Sequence, residues 1–303
     1  MSGAPLFHSG APVRALVVGG RGAIGGAFVR HLEGLGALGV PVERVVCTSR
    51  DQAFLQGHHG HLVSARHLDP SCEKSFTKFV KELKEEKFRP NLIFHTVGLL
   101  HSLDAGPGEV KPEVSLSKIT SANLLANFNA NILTNGLALR FLLGEVADRR
   151  AGGVFATLSA RIGSISDNRQ GGWYSYRASK AAVNMLVRCA AIEARRTHPG
   201  WRVVGLHPGT VASALSDPFM RGKARQVEAL VRSEEQYEQL VGAAGAGATP
   251  YVYWLPEVAA ARLYQVRGGW RVTWPGDEPG DGGGERAPAG LRGQGDHALA
   301  GGG

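Results

Sequence analysis

The chain has 303 residues, with 34 lysines and arginines against 26 acidic residues, for a formal net charge of +8. Apolar residues make up 43% of it, which excludes a chain disordered throughout, and no apolar run reaches the ~18 residues of a membrane span. The first ten residues lack the pattern of a secretory signal, whereas a short organelle-targeting segment stays open. Three scattered cysteines, Cys47, Cys72 and Cys189, form neither a metal-binding spacing nor an even disulfide set, so we expect a reducing, cytoplasmic location without a membrane partner.

Short apolar runs alternate with longer segments of helical periodicity. The apolar runs lie at residues 15–18, 44–47, 60–63, 91–96, 153–158 and 202–206, with a seventh candidate at 271–274. The helical patterns lie at residues 24–35, 70–87, 118–149 and 176–196. This alternation predicts an α/β fold, a Rossmann-type doubly wound parallel sheet in a single domain over 13–274. Ligands are expected at the carboxyl ends of its strands.

The C-terminal third is less regular. Residues 221–240 have the pattern of a charged amphipathic helix, and residues 242–249 are of low complexity. From Pro275 onward, 11 of 29 residues are glycine and few are apolar. Residues 275–303 are therefore predicted to form a disordered, glycine-rich tail.

A glycine-rich loop follows the first predicted strand. Gly19, Gly22 and Gly25 stand in a GxxGxxG spacing, with Ile24 at the start of the next helix. Glycines there allow a positive φ, a close approach of backbone to a pyrophosphate, and tight packing of helix on strand. The loop predicts nucleotide binding at the helix N terminus, and the alternative is a glycine-rich turn without a ligand.

The end of the second strand indicates which nicotinamide cofactor binds. A carboxylate at this place favours NAD, but here Ser49 and Arg50 stand there and Asp51 comes one position late. Arg50 and Arg21 can face a 2′-phosphate, which favours NADP(H), unless both are solvated surface residues. Asp69 is a candidate for the adenine amino group and equally for a helix N-cap.

Tyr176 and Lys180 lie one helical turn apart in the segment Tyr176-Arg177-Ala178-Ser179-Lys180. A free phenol has a pKa of about 10, and a neighbouring ammonium lowers it toward the range useful for acid–base catalysis. We therefore expect Tyr176 to act as the acid or base, and Lys180 to lower its pKa and to hold the ribose hydroxyls of the nucleotide.

The chain resembles the short-chain dehydrogenase/reductase family, in particular its C-factor-like branch, through the block SARIGSISDNRQGGWYSYRASKAAVN (Ser159–Asn184). The resemblance extends over residues 13–215. Three more segments carry it: His95-Thr96-Val97-Gly98 at the family's Asn-Asn-Ala-Gly position, Phe128-Asn129-Ala130-Asn131, and His207-Pro208-Gly209-Thr210-Val211.

The resemblance implies a role for each matched residue. Tyr176 passes the proton as hydride moves to or from the nicotinamide. Asn131 holds a water in a proton relay, with Asn127, Asn129 and Asn135 as alternatives in register. Residues 215–270 correspond to the family's substrate lid, here irregular. The remaining implied cofactor contacts are Thr96, Val97, Gly98, Pro208, Gly209, Thr210 and Val211.

The family's catalytic serine is not at its usual place, which holds Ala160. Ser159 precedes it and, on a strand, faces the other side unless the strand end is twisted or bulged. Ser164 lies in the following loop, where its hydroxyl could swing in. Three hypotheses stay open: Ser159, Ser164, or no catalytic serine.

Other polar residues suggest weaker hypotheses. His58, His59, His61 and His67 form no fixed ligand geometry, so we expect a solvated loop and no metal. His101 and Trp173 lie near the expected substrate mouth. The basic residues Arg221, Lys223 and Arg225 lack interleaved aromatics, so no nucleic-acid partner is expected.

The sequence therefore predicts an NADP(H)-dependent oxidoreductase acting on a small-molecule carbonyl or secondary alcohol, as a homodimer or homotetramer. Ala160 and the irregular lid motivate an alternative, an NADP(H)-binding protein with little or no catalysis that acts in redox sensing or signalling. A third hypothesis is a structural subunit that dimerises through residues 123–143 and 176–195.

Overall fold

The computed structural model describes residues 11–37, 41–57, 60–102, 109–220, 229–231 and 252–254. The chain divides into two compact units, Met1–Val272 and Thr273–Gly303, and all described residues belong to the first. The predicted strand at 271–274, the low-complexity residues 242–249 and the predicted tail at 275–303 lie outside the described residues.

Six parallel strands form one sheet in the order β3-β2-β1-β4-β5-β6. They are β1 (Val13–Val18), β2 (Val42–Ser49), β3 (Val63–His67), β4 (Leu92–His95), β5 (Gly153–Leu158) and β6 (Trp201–Leu206). The predicted Rossmann-type sheet is confirmed by this order. Because the strand order reverses between β1 and β4, the loops after these two strands diverge and leave a crevice at the carboxyl edge.

β3 begins later than the sequence predicted. The amide of Gly60 donates to the carbonyl of Val63 at 2.9 Å, which closes a turn over the residues expected to form the strand. Pairing with β2 then starts at Val63, opposite Val45, and continues to His67. The predicted strand covered residues 60–63 because of the apolar pair Leu62-Val63. It therefore ended at Val63, the residue where β3 begins.

Helices cover both faces of the sheet. They are α1 (Ala23–Ala37), α2 (Gln52–Gln56), α3 (Glu73–Glu85), α4 (Ser121–Asn127), α5 (Thr134–Ala138), α6 (Tyr174–Thr197) and α7 (Asp217–Met220). An apolar cluster lies on each face. In one, Phe76 of α3 stacks on Phe141 with ring centroids 5.3 Å apart. In the other, Phe28 of α1 meets Phe94 of β4 edge to face at 4.6 Å.

The segment predicted to be helical over 118–149 is not a uniform α-helix. Two π-helical stretches, Phe128–Leu133 and Leu139–Val146, alternate with α4 and α5. Side chains within the segment compete for backbone carbonyls, as where Asn135 Nδ2 donates to the carbonyl of Asn131 at 2.6 Å. Such bonds take the place of backbone ones and favour wider helical turns.

The described part of the C-terminal third contains α7 and a second sheet, with strand order β7-β9-β8. Its strands are β7 (Thr210–Val211), β8 (Ala229–Val231) and β9 (Val252–Trp254). The helix predicted over 221–240 is therefore wrong at 229–231, because pairing with β9 outweighs the local helical pattern. Among the described helices, none is both long and apolar enough to cross a membrane.

Candidate active site

The loop between β1 and α1 brings three glycines close to the end of the sheet. Gly19 has a φ of +91°, a region that residues with a side chain rarely adopt. A Cβ on Gly25 would lie 2.3 Å from the carbonyl oxygen of Gly19, so only glycine allows α1 to start this close to the loop. Gly22 has no side chain to cap α1, which leaves the first N–H groups of the helix for an anion. This arrangement fits a dinucleotide pyrophosphate.

Thr96 joins this loop to β4. Its hydroxyl oxygen lies 2.8 Å from the carbonyl of Val18 and 3.2 Å from that of Gly19. Val97 packs against the core beside it. The predicted cofactor residues after β1 and β4 are thus brought together at the crevice.

The residues predicted to read the adenosine end lie at the carboxyl ends of β2 and β3. Arg21 is exposed, and its Nε lies 3.3 Å from Oδ2 of Asp51. The other carboxylate oxygen of Asp51 accepts the amide of Phe54 at 2.8 Å and caps α2. Arg50 is exposed beside them, and Ser49 is buried. Asp51 therefore holds one of the two arginines assigned to the 2′-phosphate.

Asp69 does not cap α3. The cap position is Cys72, which makes no side-chain hydrogen bond. Asp69 Oδ1 instead accepts from the amide of Ser71 at 3.0 Å and from its hydroxyl at 2.7 Å. The hydroxyl bond holds the pKa of Asp69 below its usual value, and the positive charge of Arg50 acts in the same direction.

Tyr176 and Lys180 lie on one face of α6, with Nζ 5.7 Å from the centre of the phenol ring. Lys180 is 3% exposed, and its ammonium donates to the carbonyl of Leu158 at 3.0 Å. Burial lowers the pKa of Lys180 to about 8 and raises the pKa of Tyr176 to about 12. The phenol pKa thus moves opposite to the sequence expectation, because desolvation outweighs the neighbouring charge.

Asn131 is fully buried and reaches the same place from the π-helical stretch. Its side chain accepts from the amide of Leu99 and donates to the carbonyl of Leu99, each at 2.9 Å. It also donates to the hydroxyl of Ser179 at 3.0 Å. A Cβ on Gly98 would lie 3.1 Å from Asn131 Oδ1 and 3.3 Å from Lys180 Nζ, so these two side chains converge on Gly98.

The three alternatives to Asn131 differ in their exposure. Asn129 is exposed. Asn127 and Asn135 are buried on the same face as Asn131, and with Asn123 they form a row of four at a spacing of four residues. Neighbours in this row are joined by hydrogen bonds of 2.6–3.4 Å. Sequence reasoning singled out Asn131 but missed the row, although its spacing is readable in the sequence.

The row ends in a second polar group, on β4 and β5. Thr157 Oγ1 donates to Asn135 Oδ1 at 2.5 Å and lies 3.3 Å from Nδ1 of His95. Because the hydroxyl proton points to Asn135, His95 must donate from Nδ1. Burial and the charge of Lys180 lower the pKa of His95 to about 3, so the ring is neutral. Its Nε2 has no hydrogen-bond partner among the described residues.

In the described part of the chain, neither candidate serine hydrogen-bonds to Tyr176. Ser159 donates its hydroxyl to Asn184 Oδ1 at 2.5 Å, one turn beyond Lys180 on α6. Ser164 accepts the amide of Asp167 at 3.2 Å and lies 3.4 Å from the hydroxyl of Ser166. The proton of Ser159 is thus committed, whereas Ser164 has only weak contacts in an outer loop.

Aromatic rings border the phenol. Trp173 meets Tyr176 edge to face at 6.4 Å, and Phe219 of α7 packs on Trp173 at 4.9 Å. His101 lies 5.4 Å from Phe219, and its Nε2 is 2.9 Å from the carbonyl of Leu215. His101 therefore ties the segment before α7 to the loop after β4. No sequence pattern had pointed to Phe219.

The residues after β6 complete the crevice. Gly209 has a φ of +76°, which turns the chain between β6 and β7. Pro208 precedes this turn, and Thr210 and Val211 form β7. They follow β6, the neighbour of β5, at the same edge of the sheet as the glycine loop. Among the described residues, no group of three metal-ligating side chains occurs, and His58 and His59 lie outside them.

Comparison with known proteins agrees with this geometry. A family model described as short chain dehydrogenase matches residues 14–224. The 1-hydroxy-2-glutathionyl-2-methyl-3-butene dehydrogenase of Rhodococcus sp. (strain AD45) is 26% identical over 155 residues, 50% of this chain and 60% of that protein. The C-signal of Myxococcus xanthus is 32% identical over 126 residues, 38% of this chain and 73% of that protein.

A solved structure is also similar. The crystal structure of NADPH-bound carbonyl reductase from chicken fatty liver superposes with a TM-score of 0.51 at 26% identity, covering 71% of this chain and 84% of that one. With the sheet order and the family match, the class is clear. The chain belongs to the short-chain dehydrogenase family, whose members are oxidoreductases that use a nicotinamide cofactor.

Proposed function

We propose that this protein is an NADP(H)-dependent oxidoreductase that transfers hydride between the nicotinamide and a carbonyl or secondary alcohol. The observation that carries the proposal is the convergence of Lys180 and Asn131 on Gly98, with Nζ of Lys180 also 5.7 Å from the centre of the Tyr176 ring. The NADPH-bound carbonyl reductase at 26% identity supports the choice of chemistry.

When bound, the nicotinamide supplies the hydride for reduction or accepts it in oxidation. In reduction, the protonated phenol of Tyr176 donates its proton to the carbonyl oxygen of the substrate. Its pKa of about 12 keeps it protonated at neutral pH, as a proton donor must be. The ammonium of Lys180 stabilises the phenolate that remains. In oxidation, the phenolate takes the proton from the alcohol.

The first prediction concerns Tyr176. Replacing it by phenylalanine removes the proton donor, so kcat should fall by about 10²–10⁴-fold while the Kd for NADPH stays unchanged. The measurement is NADPH oxidation with a panel of aldehydes and ketones, alongside a nucleotide titration. Unchanged turnover in Tyr176→Phe contradicts the mechanism. Tight NADPH binding without turnover by the wild type favours the sensing or signalling alternative, and no binding overturns both.

The second prediction concerns pH. The ammonium of Lys180 is charged below its pKa of about 8 and neutral above it. Its help to the phenolate is therefore present at low pH and lost as the pH rises through 8, so kcat for reduction should fall above that value. In Lys180→Arg the cation stays charged, and any residual activity should lack this descending limb. A wild-type rate that rises between pH 8 and 10 contradicts the assignment.

The third prediction concerns the choice of NADP(H). Arg21 and Arg50 are proposed to bind the 2′-phosphate, which must compete with Asp51 for Arg21. Arg50→Ala should weaken NADPH by about 10-fold or more and leave NADH unchanged. Asp51→Asn keeps a capping residue on α2 but removes the charge, so it should tighten NADPH. Equal effects on NADH and NADPH would show that the arginines are ordinary surface residues.

The fourth prediction concerns the serine. Stabilising a carbonyl oxygen needs a hydrogen-bond donor, and the Ser159 proton is already given to Asn184. We therefore propose Ser164 as the donor to substrate. Ser164→Ala should lower kcat by about 10²-fold, whereas Ser159→Ala should change it little. If Ser159→Ala is the variant with the lowered kcat, Ser159 is the donor to the substrate. If both variants keep the wild-type kcat, neither serine takes part.

The protein is further proposed to form a homodimer through helices α4 and α6, with a homotetramer as the larger alternative. Each of these helices exposes a large apolar side chain, Leu125 of α4 at 62% and Met185 of α6 at 63%. A second copy packed on these helices would cover both. The structural-subunit hypothesis uses the same surface, and the cytoplasmic location stays a proposal.

The fifth prediction tests that surface. Leu125→Glu with Met185→Lys should convert the dimer to a monomer in light scattering. Ile165→Lys is the matched control, because Ile165 is equally apolar and 86% exposed but lies in a loop. A wild-type protein that is monomeric removes both the dimer and the structural-subunit hypothesis.

A further inference from the structure

A carboxylate from a distant loop caps the helix that carries Tyr176. Glu113 is 2% exposed and lies between β4 and α4. Its Oε2 accepts the amide of Ser175 at 3.2 Å, and its Oε1 accepts the hydroxyl of the same serine. The carbonyl of Glu113 accepts the amide of Trp173 at 2.5 Å. Glu113 thus binds α6 on both sides of its first residue.

Helix α6 has no cap of its own. Trp173 stands at the cap position with a φ of +52°, in the left-handed region, and makes no side-chain capping bond. The two residues before it, Gly171 and Gly172, also have a positive φ. The first N–H groups of a helix need acceptors, and a carboxylate there also meets the positive end of the helix dipole. Glu113, from another part of the chain, supplies both the hydrogen-bond acceptors and the negative charge.

Ser175, the residue that Glu113 binds, directly precedes Tyr176. Ser175 is fully buried, so its backbone and hydroxyl cannot turn to water. Tyr176 in turn touches the ring of Trp173, whose amide Glu113 also holds. Glu113 therefore holds the residue directly before Tyr176 and also, three residues before it, the amide of Trp173, whose ring borders the phenol.

The other end of the Glu113 loop is anchored as well. The carbonyl of Lys111 accepts Asn123 Nδ2 at 2.7 Å. The carbonyl of Val110 accepts the amide of Ser102 at 3.0 Å, and the amide of Val110 donates to the hydroxyl of Ser102 at 2.9 Å. Asn123 is the first member of the buried asparagine row that includes Asn131. The loop thus spans from the row to the first turn of α6, and it sets the two elements of the site relative to each other.

We propose that Glu113 is a positioning residue for Tyr176, holding the first turn of α6 so that the phenol meets the substrate in one orientation. The proposal rests on the proposed oxidoreductase function. A carboxylate is expensive to bury unless it is well paired, and here its partners are confined to the turn beside the phenol. Small misplacement of a reacting group is enough to slow a reaction by about 10²-fold.

The test compares Glu113→Ala, Glu113→Gln, Ser175→Ala and the matched control Glu109→Ala, which removes a carboxylate of the same loop that pairs with Lys111 at the surface. Glu113→Ala should lower kcat by about 10–100-fold with NADPH Kd and KM within about 2-fold, because the glycine loop is elsewhere. Glu113→Gln keeps an oxygen for the Ser175 amide and should recover most of kcat. Ser175→Ala should be intermediate, and Glu109→Ala unchanged.

Hydrogen exchange of the amides at 174–178 provides a readout that does not need turnover. Exchange should be faster in Glu113→Ala than in the wild type or Glu109→Ala. A wild-type kcat in Glu113→Ala overturns the proposal even if the melting temperature falls. If Glu113→Ala does not fold, wild-type kcat in both Glu113→Gln and Ser175→Ala overturns it.

Failure of the proposed function is distinguishable. If the wild type has no turnover, that function fails, and the hydrogen-exchange data alone decide whether Glu113 holds the first turn of α6. Unchanged protection of 174–178 in Glu113→Ala then overturns the role of Glu113.

Discussion

The buried row of amides along the segment from α4 to α5 is the constraint on which the site depends. Each buried amide needs partners, since an unpaired polar group costs about 1–3 kcal/mol. Asn131 finds them on the loop after β4 and on α6, and Asn135 finds one on β5 through Thr157. The elements that carry the candidate site are therefore joined at one network whose members cannot move independently.

Burial governs the electrostatics of this network more than pairwise charge does. Burial lowers the pKa of Lys180 and raises the pKa of the half-buried Tyr176, and burial together with the charge of Lys180 keeps His95 neutral. Because His95 is neutral, the buried ammonium of Lys180 has no second buried cation beside it. The phenol is held in the protonated form, which suits proton donation to a carbonyl better than abstraction from an alcohol at neutral pH.

Local patterns predicted the elements better than the contacts between them. The continuous apolar run at 153–158 matches β5, because such a run reports burial on both faces. The turn that delays β3 depends on a backbone bond of Gly60, which leaves no compositional signal. The spacing of Tyr176 and Lys180 predicted a shared helix face, but not their burial, so the direction of the phenol pKa was missed.

Contacts between residues that are distant in sequence could not be predicted either. Glu113 and Ser175 are 62 positions apart, and nothing near either residue marks the other. The sequence showed that Asp51 stands one position beyond the place where a carboxylate would bind the ribose of NAD. Its contact with Arg21 could not be predicted, because it depends on how α2 follows β2. Sequence patterns gave Asn131, Tyr176 and Lys180 because each belongs to a local motif. The structure added the residues that hold them.

The π-helical stretches have a consequence for the phase of the helical segment. An α-helix has about 3.6 residues per turn, so residues four apart drift around its axis by roughly 40° at each step. A π-helix has about 4.4, and residues four apart drift the other way. Alternation of the two averages near four residues per turn, which keeps Asn123, Asn127, Asn131 and Asn135 on one line. A uniform α-helix of the same length would carry Asn135 roughly 120° around the axis from Asn123 and turn it away from Thr157.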